Sequence, residues 1–508
     1  MHTVQLLLRP TTYEREEIER RFHALSHIHN VCVKRMRDQL KFLLRDREYQ
    51  AWRKEYVTLV KKKELTADEK RRKKVLSDQM KTRRLELEIS KSDLEKYIKV
   101  CGARYRKLLS SQQVQAEAAR VWKGVEEFLF SDGKEVHFKK FMDFRTISGK
   151  SNTNGIKYDP AARTLTWLGL EMQCYLQKKN REYVLESLDH KISYSMLKRQ
   201  MFSGGWRYYL VIVLDGNAPK KQIEVKNPNP QDTVMGIDPG VSTIAGVSDD
   251  TCVLEELAPD ADRYEKQIQQ ILQKMDRSRR ISNPEKYNPD GTINRKNKDR
   301  WKNSKNYLRL LRKLRVLYRK KSDYIRTSHR TLCNRLLQMA SSFLVERMHF
   351  KALQRRAKET KRQEQVSEVK KKDGSVVQVQ KFKKKKRFGK SLNRRAPSLF
   401  LSELKRKVIA MGGSYEEVKT ETFKASQYDH STGECRKVSL ATRMKVIDGQ
   451  EVQRDLYSAF LIRNADLSLE YPDRERCMYE FKHFVEMQRK LIESMKRSGI
   501  SMKQCFGF

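Results

Sequence analysis

Strand-like and helix-like segments alternate along the C-terminal half of the chain, and their order restricts the folds it can adopt. Apolar runs at 234–238, 243–248 and 252–257 are separated by turns, which predicts three consecutive strands. The segments predicted after them are a basic helical region to about residue 341, a strand at 343–346, a helix at about 397–411, a strand at 415–419 and a helix at about 451–464. This order predicts an α/β sheet covered by helices.

The N-terminal half separates into a helical part and a strand-rich part. Residues 2–9 predict a short strand that ends at Pro10, and residues 13 to about 128 predict helices, since they are rich in Leu, Lys and Glu and nearly free of Gly and Pro. Within them, residues 61–97 predict a charged helical hairpin. That hairpin is either a solvated coiled coil or a surface that lies on a nucleic-acid duplex.

Strand signals return between residues 136 and 225. The segments TLTWLGLEM, YVLESLDHKISYSML and WRYYLVIVLDG are separated by Gly, Asn and Asp turns. We expect them to form a β-barrel with the first strand of the chain. Pro228-Asn229-Pro230 then predicts a domain boundary.

The charge of the chain indicates a polyanionic partner. Lys and Arg total 109 against 64 Asp and Glu, a formal net charge of +45 that is spread along most of the sequence. A dispersed excess of this size favours nucleic acid bound over much of the surface. The alternative is a soluble basic protein such as a ribosome-associated factor.

The sequence also excludes several classes. Its longest apolar run, Tyr208 to Leu214, is far shorter than the ~20 residues of a membrane span. The N-terminal residues lack the pattern of a secretory signal. The eight cysteines are scattered, with no CxxC pair, which is typical of reduced thiols in a cytoplasmic protein.

Three acidic residues occupy comparable places on the predicted elements. Asp238 and Glu346 each end an apolar strand, and Asp455 lies beside the apolar stripe of the last helix. Each has an ordinary alternative: Asp238-Pro-Gly is a common turn, and Glu346-Arg347 is a possible surface ion pair. The predicted order, three strands followed by helix, strand, helix, strand and helix, is that of RNase H-like folds. Three acids at these positions within one such fold are less expected by chance than any one of them alone.

Carboxylates in such an arrangement suit one chemistry. Phosphodiester hydrolysis needs a strong nucleophile and neutralisation of charge on the phosphate, and two divalent ions ~4 Å apart supply both. Mg²⁺ prefers hard oxygen ligands, so the protein needs converging carboxylates and no histidine or thiolate.

The motifs around these acids carry a family resemblance. MGIDPGVSTIAGV resembles the first RuvC motif of the transposon-encoded TnpB proteins and the miniature type V CRISPR effectors. FLVERMHFKALQRR is similar to their second motif, and QRDLYSAFLI to their third. SSQQVQAEAARVWKGVEEFLF resembles the junction of the family's recognition helices and wedge barrel. KTETFKASQ resembles the segment that leads into its zinc ribbon.

The resemblance implies a multidomain α+β protein with a RuvC/RNase H-like nuclease core. The implied divisions are a first strand of the wedge barrel (1–12), a helical recognition lobe (13–130), a wedge β-barrel (131–230), a nuclease core (231–470) with basic inserts at about 266–326 and 351–395 and a degenerate zinc-ribbon region at about 422–446, and a C-terminal helical tail (471–508).

The activity implied by the resemblance is RNA-guided cleavage of double-stranded DNA next to a short flanking motif. Base pairing with a guide RNA would read the target, while Asp238, Glu346 and Asp455 would bind Mg²⁺ or Mn²⁺. The protein is expected in the prokaryotic cytoplasm, on the nucleoid when it binds DNA. Two alternatives stay open: a nuclease-inactive RNA-guided repressor, and a basic RNA-binding transposon accessory protein.

The chain departs from the family between its second and third motifs. Two CxxC pairs are usual there, but this segment offers only Cys435, with Tyr428 where a cysteine is expected. His430 adds one further possible ligand, and four are needed, so we expect no structural zinc. Tyr457 also replaces an Asn that often follows the third acid.

Basic side chains are expected to contact nucleic acid. In the first insert a Leu stripe (Leu310, Leu314, Leu317) predicts ordinary helix packing, with a basic face opposite it. The second insert carries 18 Lys or Arg against four acidic residues, which is typical of either a nuclear-localisation-like run or a disordered phosphate-binding loop. We favour the loop, because the insert lies between two elements of the expected core. The predicted contacts are Gln112, Arg309, Arg312, Lys313, Arg315, Arg319, Lys320, Lys383, Lys384, Arg394 and Arg395.

Overall fold

Two units, Met1–Lys221 and Gln222–Phe508, make up the computed structural model of the chain. The residues that the structure describes are 1–62, 64–131, 133–219, 233–289, 291–354, 362–370, 376–382, 389–439, 442–500 and 506–507. The predicted boundary at Pro228-Asn229-Pro230 lies outside them. Among the described residues, no helix has the length and apolar character needed to cross a bilayer.

The helices of the first unit follow the predicted helical segment. They are α1 Thr12–Arg45, α2 Arg47–Val60, α3 Ala67–Glu86, α4 Lys91–Ala103, α5 Ser111–Phe130 and the short α6 Arg181–Leu188. Capping boxes start α1 at Thr11 and α3 at Thr66, each with a glutamate three residues later. The predicted helical hairpin within 61–97 is wrong, because α3 packs along the preceding helix α2. Ion pairs such as Arg72–Glu55 join these two helices.

The strands of this unit form one curled antiparallel sheet, a half-barrel. They are β1 His2–Leu8, β2 Thr146–Ser148, β3 Ile156–Asp159, β4 Thr164–Trp167, β5 Leu170–Tyr175, β6 Ile192–Phe202 and β7 Gly205–Leu214. In the described residues their order is β2-β6-β7-β1-β5-β4-β3, so the first strand joins the later ones as predicted. The segment YVLESL is a correction, since it lies in α6 and not in a strand.

The second unit contains a mixed sheet. Its strands are β8 Val234–Pro239, β9 Thr243–Val247, β10 Cys252–Glu256, β11 Ser342–Glu346, β12 Arg362–Lys370, β13 Val376–Phe382, β14 Tyr415–Val418, β15 Tyr428–Asp429, β16 Glu434–Cys435, β17 Met444–Ile447 and β18 Gln450–Gln453. Five of those described form the main sheet in the order β10-β9-β8-β11-β14. The three strands predicted first pair antiparallel, whereas β11 pairs parallel with β8 and β14.

Helices cover both faces of this sheet. The helices of the second unit are α7 Ala261–Ser282, α8 Lys305–Leu337, α9 Phe350–Leu353, α10 Gly389–Arg395, α11 Pro397–Ala410, α12 Thr420–Phe423, α13 Arg454–Arg463 and α14 Arg474–Arg497. Met235 and Ile237 of β8 face α8 and α11 in one apolar cluster. The alternate residues of β8 face α13, because successive side chains of a strand point to opposite faces.

The two basic inserts differ from each other in structure. In the first, Leu310 and Leu314 of α8 are buried against Ile268 and Met275 of α7, which confirms ordinary packing for the Leu stripe. In the second, the expected disordered loop is wrong for the described residues, since β12 and β13 pair there as an antiparallel hairpin. Both strands contain several valines, a β-branched residue that favours strands.

Candidate active site

Asp238 and Glu346 end two neighbouring parallel strands. The last paired residues of β8 and β11 are Ile237 and Val345, and the two acids are the next residue on each strand. Strands that run in parallel carry equivalent positions to the same edge and face of the sheet. Their carboxyl groups are therefore adjacent, and a hydrogen bond joins them.

Burial and mutual charge raise the pKa values of both Asp238 and Glu346. Burial raises the pKa of Asp238 well above its usual range, and the charges of Glu346 and Asp455 raise it further. Burial also raises the pKa of Glu346, although the hydrogen bond from Asp238 opposes this. In the absence of a cation the raised pKa therefore favours the neutral form of Asp238 more than in an exposed aspartate.

Helix α13 brings the third acid to this edge. Gly236 lies on the same face of β8 as Asp238, and a Cβ there would be 2.8 Å from the Cα of Arg463. Only a glycine permits such an approach of the helix backbone to the strand. Asp455 lies in the first turn of α13, and its charge acts on both Asp238 and Glu346.

Two arginines that the sequence analysis did not single out bind the carboxylate of Asp455. Arg454 donates to its Oδ1 from Nε at 3.0 Å and from Nη2 at 2.8 Å. Arg443 approaches Oδ2 at 3.4 Å from the turn before β17. The side chain of Asp455 is only 13% exposed, so these cations offset most of its desolvation.

The three acids are neighbours without forming a finished ligand set. In the part of the chain that the structure describes, no group of three His, Cys, Asp or Glu side chains is already arranged to hold a metal ion. The three acids have different partners: Arg454 and Arg443 bind Asp455, whereas the carboxyl groups of Asp238 and Glu346 contact each other.

A side chain that sequence reasoning missed sets the start of α13. Gln453 accepts a hydrogen bond from the backbone N–H of Leu456 at 2.7 Å and so caps the helix. Its own N–H donates to Gln488 of α14. Glutamine is not a usual cap, which explains why the predicted helix began about three residues too early.

The degenerate ribbon region contains two possible zinc ligands, His430 and Cys435, which differ in burial. His430 is buried, and its Nδ1 lies 2.8 Å from the Tyr457 hydroxyl, which also accepts the His430 backbone N–H at 3.1 Å. Cys435 is exposed and pairs with Tyr428 across the β15–β16 hairpin. Tyr457, which replaces the family's Asn, is therefore part of the core and ties this hairpin to α13.

The predicted nucleic-acid contacts on α8 lie on its polar face. Arg309, Arg312, Lys313 and Lys320 are exposed, Arg315 is partly exposed, and Arg319 pairs with Asp323 at 2.8 Å. Arg309 donates to Asn306 Oδ1 at 2.9 Å, whereas Arg319 would have to leave a carboxylate to meet a phosphate backbone. The side chains of Lys383 and Lys384 lie outside the described residues.

Three other predicted contacts bind within the protein. Gln112 donates to the Ser151 hydroxyl at 2.9 Å, and Arg394 pairs with Asp262 at 2.9 Å. Arg395 is a correction: it is 6% exposed and donates to the carbonyl of Pro259 and to Asp262. A buried guanidinium satisfied in this way anchors α10 and cannot face a nucleic acid.

The fold and site define an α+β protein of two units, with a partly buried carboxylate pair and a third acid at the edge of a mixed sheet. No family model and no curated protein matches the chain. Among solved structures, a CRISPR-Cas12f ternary complex solved by cryo-electron microscopy is similar at 12% identity. The match covers 89% of this chain and 82% of that one, with a TM-score of 0.27. A similarity this low carries no argument about the chain.

Proposed function

We propose that this chain is an RNA-guided DNA endonuclease that cleaves target DNA beside a short flanking motif by two-metal phosphodiester hydrolysis. One observation carries the proposal: Asp238, Glu346 and Asp455, predicted from three separate motifs, come from β8, β11 and α13 to one place and act on each other's charge. These acids are more than a hundred residues apart in the sequence, and bringing them together costs stability because their charges repel one another. A structural role does not explain such a cost, whereas metal binding does.

The arrangement of the second unit supports a RuvC/RNase H-like assignment. Three antiparallel strands, two further parallel strands and helices on both faces are the pattern on which the sequence prediction rests. In this proposal, residues 231–470 are the nuclease core and 471–508 its tail. The helices of 13–130 are the recognition lobe, and the half-barrel, built from 1–12 and 131–230, is the wedge.

The donor set suits Mg²⁺ or Mn²⁺. Asp238, Glu346 and Asp455 offer hard oxygens. Burial, and then the charges of Glu346 and Asp455, raise the pKa of Asp238, and a bound cation would oppose this shift. When bound, the ions would neutralise charge on the phosphate and supply an activated water. Arg454 holds Asp455 at Oδ1, and within the described residues the contact at Oδ2 is the long one to Arg443, at 3.4 Å.

The proposed nucleic-acid partners follow from the positive charge of the chain. A net charge of +45 suits a chain that holds a guide RNA and double-stranded DNA together. The exposed arginines and lysines on α8 are proposed contacts. Cutting is favoured over a nuclease-inactive repressor because all three acids are present and adjacent.

The test combines RNA recovery with acid variants. RNA that co-purifies with the chain should be one species with a constant scaffold and a variable end, and the loaded protein should cut matching DNA. Asp238→Ala, Glu346→Ala and Asp455→Ala should each abolish cutting, while guide-directed binding stays nearly intact, since affinity comes from phosphate contacts and base pairing.

Three results would count against the proposal. Near wild-type cutting by any one variant would remove that acid from the site. A heterogeneous RNA mixture would favour the accessory-protein alternative. Defined RNA and specific DNA binding without cutting by the wild type would favour the repressor.

A further inference from the structure

The connection between α7 and α8 is folded around a buried lysine. Lys286 is 2% exposed, and its ammonium group donates to the carbonyl of Asn297 at 3.3 Å, to Oδ1 of Asn297 at 2.7 Å and to the carbonyl of Asp299 at 2.5 Å. An ammonium group has three donors, and all three are used. Lys286 thereby fixes the course of the loop between residues 295 and 302.

A second buried polar side chain ties the end of the loop to its start. Asn283 is fully buried, accepts the backbone N–H of Lys302 at 2.6 Å, and donates to the carbonyls of Lys302 and Arg279 at 2.9 Å each. The indole of Trp301 lies 4.8 Å from the guanidinium of Arg279. The loop is therefore ordered by contacts within itself and with the end of α7.

This ordered loop displays a dense set of cations. Residues 295–302 carry five basic side chains against one carboxylate, and all five are exposed: Arg295, Lys296, Lys298, Arg300 and Lys302. Within the described part of the chain, none of the five makes an ion pair. Their charge is therefore presented to solvent without an internal partner.

We propose that this segment, the 295–302 loop, is a preorganised binding site for the phosphate backbone of a nucleic acid, with Lys286 as its organising residue. Exposed Arg and Lys at this density match a row of phosphates. A flexible loop would lose conformational entropy on binding, but Lys286 and Asn283 have already ordered this one. A loop that served only solubility would not need a buried ammonium group, which is costly to desolvate.

The proposal is independent of DNA cleavage and is tested by binding alone. Affinity of the full chain is measured by fluorescence anisotropy over a range of salt, with a duplex DNA of random sequence and a single-stranded RNA as probes. The variant is Arg295→Ala/Lys298→Ala/Arg300→Ala. The matched control, Lys482→Ala/Arg489→Ala/Lys490→Ala, removes the same charge from exposed positions of α14.

The loop variant should bind at least one probe about tenfold more weakly at physiological salt, and its salt slope should fall by about 2 to 3. The control should stay within about twofold of the wild type. The probe that loses affinity identifies the bound strand as DNA or RNA. Equal losses in both variants, or no loss with either probe, would overturn the proposal.

A second variant tests the preorganisation itself. Lys286→Met keeps all five exposed cations but removes the three bonds that order the loop. It should bind several-fold more weakly than the wild type, and trypsin should cut within residues 295–302 faster. Wild-type affinity with unchanged proteolysis would show that Lys286 does not organise the site.

Discussion

Gly236 of β8 lies directly beneath the backbone of Arg463 in α13, so that a Cβ on the glycine would be 2.8 Å from the arginine Cα. Asp238 follows Gly236 on the same face of the strand, and Asp455 precedes Arg463 by about two helical turns. The close crossing of strand and helix therefore fixes how near these two acids come to each other. Gly236, which has no functional side chain, therefore controls the geometry of the candidate site.

Gly236→Ala should displace α13 from the sheet. The added methyl group meets backbone atoms that cannot rotate away, so we expect a loss on the order of 3 kcal/mol in the free energy of unfolding, together with loss of cutting. Chemical denaturation measures the first and a cleavage assay the second. Gly204→Ala is the control, since nothing lies within 4 Å of its Cβ position. Wild-type stability of Gly236→Ala would contradict the crossing described here.

Asp238→Asn should stabilise the metal-free protein near neutral pH. The folded pKa of Asp238 is raised, so its contribution to stability is present below the ordinary aspartate pKa and is lost as pH rises towards the folded value. Asparagine carries no charge and still has a donor for Glu346. In EDTA its Tm should exceed that of the wild type at pH about 7 and match it below pH about 4. Asp68→Asn, at an exposed carboxyl on α3, is the control. An unchanged Tm at neutral pH would contradict the raised pKa of Asp238.

Divalent metal should be required for cutting and should stabilise the fold. Activity is expected to disappear in EDTA and to return with added Mg²⁺ or Mn²⁺. The same ions should raise the Tm of the wild type, because they bind the folded protein, and should raise that of Asp455→Asn much less. Robust cutting in EDTA would count decisively against a two-metal site.

The region from about Thr422 to Val446 should fold without structural zinc. Cys435 is exposed and His430 is buried against Tyr457, so Cys435→Ser should change stability by less than about 0.5 kcal/mol and leave cutting intact. Elemental analysis should find much less than one zinc per chain. Stoichiometric zinc, with unfolding of this segment on chelation, would mean that distant cysteines such as Cys477 or Cys505 complete a site.

Tyr457→Phe should destabilise the second unit. The hydroxyl accepts the backbone N–H of His430 in the core, and its removal leaves that donor unpaired at a cost of about 1–3 kcal/mol. Chemical denaturation measures the change. Tyr479→Phe is the control, because that ring is 89% exposed on α14. Equal stability of the two variants would remove Tyr457 as the link between the β15–β16 hairpin and α13.

The sequence by itself determined the strands of the main sheet and the positions of the three acids on them and on α13. Apolar runs of strand length located β8 to β11 and β14, and the acid that ends each of two strands could be read without coordinates. Local pattern suffices there, because periodicity and turn residues act over a few positions. It also placed the Leu stripe of α8 in a helix interface.

Only the tertiary structure decided which side chains meet. Arg443 and Arg454 bind Asp455, Arg395 is buried rather than exposed, and Lys286 becomes the centre of a loop, yet in the sequence each is one basic residue among many. The sequence around a charged side chain contains no periodic pattern that identifies its partner. Whether the side chain is buried depends on groups that the fold brings near it. The role of each cation is therefore set by long-range contact, whereas the strands and helices that create the contact are set locally.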